Sequence, residues 1–410
     1  MKKRKLKKSA KIVLVLLIII IILIILISTR KKVYIPNLEN KSISEATEFC
    51  NVNKCKIKTT YINDLNIDKD YIISQEPKEN TKLTKNTEIT LTVSKGIDYD
   101  IYKNYQVNEL GNVPIMMYHG IHNKTNAETE YTGGNVDKDG YQRTAEAFRK
   151  DLEFYYQEGY RMIHLNDYVD GKIDVELGKS PIILTFDDGL ANNIKVTGLD
   201  ESGNIIIDPN SAVGILEEFK KKYPDYHVTA TFFINAGLFS QEKYNDKIIE
   251  WLLKNDYDIG NHTYSHANLS NTTKEGTIKE VGSMYKILEE KTQGKYVKIV
   301  ALPFGTPYVK THDNFDSIIN GVYEDTIYNT KATMRVGWES EVSPFSQKFD
   351  SHFLKRIRAY DNNGLDFDIE YNFKVLKNNR YISDGNVNTI VVPKEKVENI
   401  KETNLKIISY

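Results

Sequence analysis

Hydrophobic residues fall along this chain in three patterns, and each predicts a different kind of element. Ile12 to Ile27 is an unbroken apolar run without charge, Gly or Pro. A surface helix of a globular domain alternates apolar and polar faces, so this run predicts a helix for lipid. Counting Ser28 and Thr29, it reaches about 27 Å at the helical rise, just enough to cross a hydrocarbon core. From Val33 to Gly96 the apolar positions come in short pieces: Val33–Asn37, Lys56–Tyr61, Tyr71–Gln75 and the alternating Thr87–Val93. They predict strands, while Ser42 three residues before Glu45 is a capping-box signature that opens a short helix through Ala46 and Phe49. A small α+β unit results.

The third pattern begins at Val113. Strand-like runs (Val113–His119, Ile182–Phe186, Val228–Ile234, Ile299–Leu302) alternate with helix-like stretches (Ala145–Glu158, Ala212–Lys222, Asp246–Lys254, Lys274–Lys291). This alternation predicts an α/β domain of parallel strands, open or closed as a barrel, with its chemistry at the carboxyl ends of the strands. Thr197–Ser211, with Gly198, Gly203 and Pro209 around Ile205–Ile207, predicts an inserted hairpin. The expected organisation is a basic segment (1–11), a transmembrane helix (12–29), the small α+β domain (33–96), a linker (97–112), the α/β domain (113–362) and an extension (363–410) with a strand-like Asn388–Val392.

Composition changes this picture little. The 410 residues exceed one ordinary domain, and 40% hydrophobic with 27% charged residues is normal for a folded body. A formal net charge of −1 argues against a nucleic-acid partner. The local exception is Lys2, Lys3, Arg4, Lys5, Lys7 and Lys8, ahead of the apolar run. The positive-inside rule then leaves Met1 in the cytoplasm and everything after Thr29 outside, a single-pass membrane protein with an extracellular body. A cleaved signal peptide would export the same body, but Ser28–Lys32 offers no small-x-small site. Cys50 and Cys55 are the two cysteines; an oxidising compartment permits a short bridge between them, and two free thiols are equally open.

Candidate chemistry lies in two segments. Ile182–Phe186 runs straight into Asp187, Asp188 and Gly189. The pleat of a strand sends neighbouring side chains to opposite faces, so both acids serve one site only if the chain bends, as Gly189 permits. Asp258–His266 contains His262 and His266, which share a face if that segment is helical. Two imidazoles and one carboxylate hold a divalent metal while leaving positions for water.

Thr185–Gly189 and His262–His266 resemble the first two motifs of the polysaccharide deacetylases, carbohydrate esterase family 4. The resemblance implies a deformed (β/α) barrel, with Asp187 as general base and Asp188, His262 and His266 as metal ligands. Leu302–Gly305 resembles the third motif, implying that Pro303 positions the Phe304 amide as an oxyanion donor; Ala301 stands where that motif has arginine. Phe353–Ile357 lacks the histidine of the last motif, as in the biofilm poly-N-acetylglucosamine deacetylases, whose histidine strand is permuted to the start of the domain. That likeness implies His119 as general acid, with His352 and His312 behind it. Trp338 matches the fourth motif's sugar-stacking position. Residues 33–96, through Ile35–Asn37, Ser42–Ala46, Ile73–Pro77 and Thr90–Gly96, are similar to the PASTA repeat, a peptidoglycan-associating module, which implies a cell-wall address.

The expected function is metal-dependent N-deacetylation of an extracellular or cell-wall polysaccharide, with release of acetate. Zinc suits the ligands, which also admit cobalt or nickel. A catalytically silent glycan-binding protein and an O-acetyl esterase are the alternatives.

Overall fold

The computed structural model describes residues 8–28, 32–84 and 86–410, and the chain divides into two compact units between Ile101 and Tyr102. A helix spans Lys8–Ser28, yet among the described residues no helix is long and apolar enough to cross a membrane. The expected transmembrane helix is corrected accordingly. Lys2–Lys7, on which its orientation rests, lie outside the described residues.

In the small unit, Ser42 and Glu45 form the reciprocal capping box at the start of the helix Ile43–Asn53. Three strands follow, Lys56–Ile62, Ile72–Glu76 and Glu88–Ser94. The last is central, parallel to the first and antiparallel to the second. Its alternation puts Ile89, Leu91 and Val93 on one fully buried face, against Ile35, Leu38, Ala46 and Ile72. The Gln75 amide, buried among loops, accepts from the Leu38 N–H and donates to the Pro36 and Pro77 carbonyls. Cys50 and Cys55 are bridged, which resolves what the sequence left open.

The larger unit is built on eight strands: β1 (Ile115–Tyr118), β2 (Tyr160–Met162), β3 (Ser180–Phe186), β4 (Thr231–Ile234), β5 (Asp258–Asn261), β6 (Ile299–Ala301), β7 (Ala332–Met334) and β8 (Ile357–Arg358). Their order is β7-β6-β5-β4-β3-β1-β8, all neighbours parallel, with β2 pairing the first half of β3. Every residue of β3 is buried, as a parallel strand covered on both faces requires. The sheet curls into a half-barrel whose edges, β7 and β8, are not laddered together. Isolated bridges, Met334 with Leu354 and Trp338 with Ile357, span the gap in place of a ladder. The expected barrel is therefore open at this seam. Helices Ala145–Gln157, Ala212–Lys222, Asn245–Lys254 and Lys274–Thr292 cover the sheet, close to where periodicity put them.

The expected hairpin forms, Val196–Leu199 against Ile205–Ile207. Within residues 97–112, expected as a linker, Tyr99–Tyr105 is helical and Asn108 bridges Ile382. Glu109 is buried there, accepting from the Val391 N–H and the Tyr381 hydroxyl. Pairing with irregular backbone leaves no periodic signature, which is why this stretch reads as a linker.

Candidate active site

The site gathers where β1, β3 and β5 end. The amide of Asp187 donates to the Tyr118 carbonyl (2.9 Å), so β3 is still held to β1 when the acids begin. Asp188 then takes φ 75° and Gly189 φ 61°. This left-handed step is the bend that lets consecutive acids serve one site, and it is costly for a residue with a Cβ. At Gly189 a Cβ would also meet the Leu238 carbonyl oxygen at 2.1 Å.

His262 follows β5, its amide donating to Ile234 of β4 (3.0 Å). The His262–His266 segment is not helical, which corrects the expectation from its four-residue spacing: it is a turn in which Thr263 (φ 64°) and His266 (φ 58°) are left-handed. Two anchors shape it. Asn261 donates to the Val281 carbonyl and accepts from the Thr263 amide, and Glu280 accepts from the amide and hydroxyl of Ser265. The imidazoles meet with ring centroids 4.8 Å apart.

Asp188 Oδ1 lies 3.1 Å from His262 Nε2 and 3.3 Å from His266 Nε2. His262 Nδ1 stands 2.8 Å from the Ala301 carbonyl, which only accepts, so Nδ1 carries the hydrogen and Nε2 turns a lone pair toward Asp188. These three donors fit a divalent cation. His262 is buried, while Asp188 and His266 remain partly open, leaving one side for water or substrate.

Asp187 has a different partner. Arg356 grips it with both terminal nitrogens, Nη1 to Oδ1 at 2.8 Å and Nη2 to Oδ2 at 2.7 Å, and both side chains are almost wholly buried. Arg356 also donates to Thr185 Oγ1 and to the Arg335 carbonyl. Burial acts to raise the Asp187 pKa, but the Arg356 guanidinium outweighs it and holds the carboxyl far below its ordinary value. Sequence reasoning missed Arg356. It supplies, from the segment leading into β8, a cation beside Asp187 that Ala301 cannot. The available signal was an arginine set between apolar Leu354 and Ile357, in the stretch searched for a histidine.

His119 lies directly beyond β1, whose Tyr118 is in register with Phe186. It is therefore beside Asp187. Its carbonyl accepts from Asn193 (2.7 Å), and its ring is edge-on to Tyr141. Nδ1 is buried with no hydrogen-bond partner, an unusual condition for a polar atom in a folded interior. Burial lowers its pKa, against the opposing pull of Asp187 and Asp188. His312 turns Nδ1 to the Asn314 amide of its own turn, and neither it nor His352 joins the Asp188 cluster. Pro303 is buried and fixes a tight turn in which Phe304 has φ 56°. The exposed Phe304 ring packs 4.7 Å from that of His266. Trp338 is half exposed beside the Arg335 guanidinium.

Carboxylates and imidazoles thus converge at the carboxyl ends of the curled parallel sheet of the larger unit, the end where the chemistry of an α/β domain lies. Its particular family is given by sequence: residues 174–317 match the polysaccharide deacetylase family, and residues 33–95 match the PASTA domain, so the chain joins a polysaccharide deacetylase domain to a PASTA domain. Among solved structures, the deacetylase PplD of Streptococcus pyogenes in complex with acetate is 19% identical, covering 62% of this chain and 94% of its own, with a TM-score of 0.45. The BpsB deacetylase domain of Bordetella bronchiseptica is 10% identical over 62% of this chain and 97% of its own, TM-score 0.38. The extracellular region of the Ser/Thr kinase PrkC of Staphylococcus aureus is 32% identical over 16% of this chain and 23% of its own, TM-score 0.15. No curated protein sequence matches the chain.

Proposed function

We propose that the larger unit removes N-acetyl groups from an extracellular polysaccharide of the peptidoglycan or poly-N-acetylglucosamine type, releasing acetate, with Asp188, His262 and His266 holding a divalent metal, zinc by preference. The observation that carries this reading is the division of labour between neighbouring acids. Asp188 faces the Nε2 atoms of two imidazoles, while Asp187 is held ionised by Arg356. A divalent ion at that cluster supplies Lewis acidity toward the acetamide carbonyl and toward water.

An acetamide resists hydrolysis because its carbonyl is weakly electrophilic and its amine leaves badly. Asp187 accepts a proton as water adds to the carbonyl carbon, and Arg356 keeps that carboxylate ionised and aligned. The Phe304 amide donates to the developing oxyanion. His119, in its protonated form, gives its proton to the sugar nitrogen as the carbon–nitrogen bond breaks, so the amine leaves neutral. A proton acquired by Asp187 and one lost by His119 return through solvent, which completes the cycle. Exposed Phe304 and Trp338 provide apolar faces for sugar rings. The PASTA domain and the Cys50–Cys55 bridge support a wall-facing, extracytoplasmic location.

The test is acetate release by the purified chain from N-acetylated glycans, with Asp187→Asn beside it. Release from the wild type and loss in the variant is the expected outcome. A silent glycan binder releases none in either. An O-acetyl esterase releases acetate from O-acetylated glycans only.

A further inference from the structure

A second set of imidazoles and carboxylates converges at the opposite, amino-terminal end of the same sheet. Three separate segments supply it: His164 just past β2, His227 ahead of β4 and Asp256 ahead of β5. His227 Nε2 lies 2.7 Å from Asp256 Oδ2, and His164 Nε2 lies 3.3 Å from Oδ1 of the same carboxylate.

The remaining ring nitrogens show how these imidazoles are wired. His227 Nδ1 stands 3.2 Å from the Met162 carbonyl, and His164 Nδ1 stands 2.8 Å from Asp258 Oδ2. Thr229 Oγ1, also near His164 Nδ1 at 3.3 Å, spends its hydrogen on the Asp256 carbonyl. Carbonyl and carboxylate oxygens accept only, so each Nδ1 carries a hydrogen and each Nε2 faces Asp256. His262 is wired identically at the catalytic cluster, Nδ1 to a carbonyl and Nε2 to a carboxylate. A neutral Nε2 lone pair against a carboxylate oxygen is repulsive. Either both rings take a second proton or a cation lies between them.

We infer that His164, His227 and Asp256 form a second divalent-cation site, separate from the catalytic cluster, that takes a zinc-like first-row ion. Two imidazoles and a carboxylate are a sufficient donor set. Asp258 and the Met162 carbonyl orient the rings from behind, the arrangement metal-bound imidazoles require. His227 and Asp256 are about half exposed, which leaves room for water to complete the coordination. The site ties three segments together at the end of the sheet remote from the chemistry, the end where side chains govern stability rather than rate. Its role is a staple.

Zinc bound per chain tests this, using the full, tag-free chain stripped with chelator and equilibrated with zinc alone. The wild type is expected to hold two zinc ions. The His262→Ala/His266→Ala variant, with the catalytic cluster destroyed, still holds one, and adding His227→Gln removes it. In an otherwise native chain, His227→Gln leaves acetate release unchanged, lowers bound zinc from two to one and reduces the rise in Tm that zinc produces. Asp256→Asn, at an exposed position, gives the same pattern should His227→Gln fold poorly. Absence of zinc from the His262→Ala/His266→Ala protein, or its persistence after His227→Gln is added, overturns the inference in favour of a protonated ion-pair network.

Discussion

The two ends of the parallel sheet carry the same unit, an imidazole with Nδ1 held by an oxygen and Nε2 turned to an aspartate, in opposite surroundings. At the carboxyl end His262 is buried, Asp188 sits at a left-handed step, and a second aspartate is locked on a buried arginine beside an unpartnered His119 nitrogen. At the amino end His227 and Asp256 are half exposed, and the second aspartate there, Asp258, is engaged by His164 Nδ1 rather than by a buried arginine. Metal-binding donors alone therefore do not make an active site. What distinguishes the carboxyl end is a buried carboxylate paired with Arg356, a buried unpartnered His119 nitrogen and a partly open side, which in the proposed reading are the proton acceptor, the proton donor and the substrate's entry.

The largest expected effect is loss of the catalytic cluster. His262→Ala abolishes acetate release and one metal site, with the amino-terminal site and the fold retained; residual chelator-resistant activity would remove His262 from the account. Asp187→Asn comes next. It keeps the metal but lowers turnover by about 10² to 10⁴, the range of a general base. His119→Ala gives a loss of the same order on an acetamide and a smaller one on an acetate ester, whose alkoxide leaves more easily. Equal losses on both substrates would assign His119 a structural rather than a proton-donating role.

Arg356 sharpens the comparison through pH. Asp187 has its pKa lowered in the folded chain, so its ionisation stabilises the fold above the ordinary carboxylate pKa of about 4 and that contribution disappears as pH falls through the lower folded value. Wild-type activity should accordingly show no acid limb from Asp187 near pH 4. Arg356→Ala leaves burial less opposed, so an acid limb in kcat/KM moves up, while the stranded carboxylate costs about 3 to 5 kcal/mol of stability. Arg356→Lys keeps the charge but not the paired grip, and should fall between. An unchanged pH profile in both would reduce Arg356 to packing. The smallest effect is at the amino end, where His227→Gln should lower Tm in zinc by a few degrees and leave turnover alone.

Much of this was legible in sequence because it depends on local pattern. The apolar β3 running into two acids, the alternation of strands with helices and the Ser42–Glu45 capping box each follow from neighbouring residues. What escaped depends on residues distant in sequence. Arg356 reaches Asp187 across 169 positions. The half-barrel seam depends on how far the sheet curls before β7 meets β8. The turn holding His262 and His266 is set by Asn261 and Glu280, so the two imidazoles meet through a turn that their four-residue spacing does not announce. The apolar N-terminal run shows the converse, since its composition predicted a span while among the described residues no helix is long and apolar enough to cross a membrane.

The central claim is that a metal at the carboxyl end and the Asp187 carboxylate together hydrolyse an N-acetyl group. Its most direct test is time-resolved acetate release from a poly-N-acetylglucosamine or peptidoglycan substrate by the chelated chain, before and after one divalent metal is restored, in wild type and Asp187→Asn side by side. The account predicts release only from the metal-restored wild type, with equal metal content in both proteins. Release from the chelated wild type, or wild-type rates from metal-loaded Asp187→Asn, would contradict it.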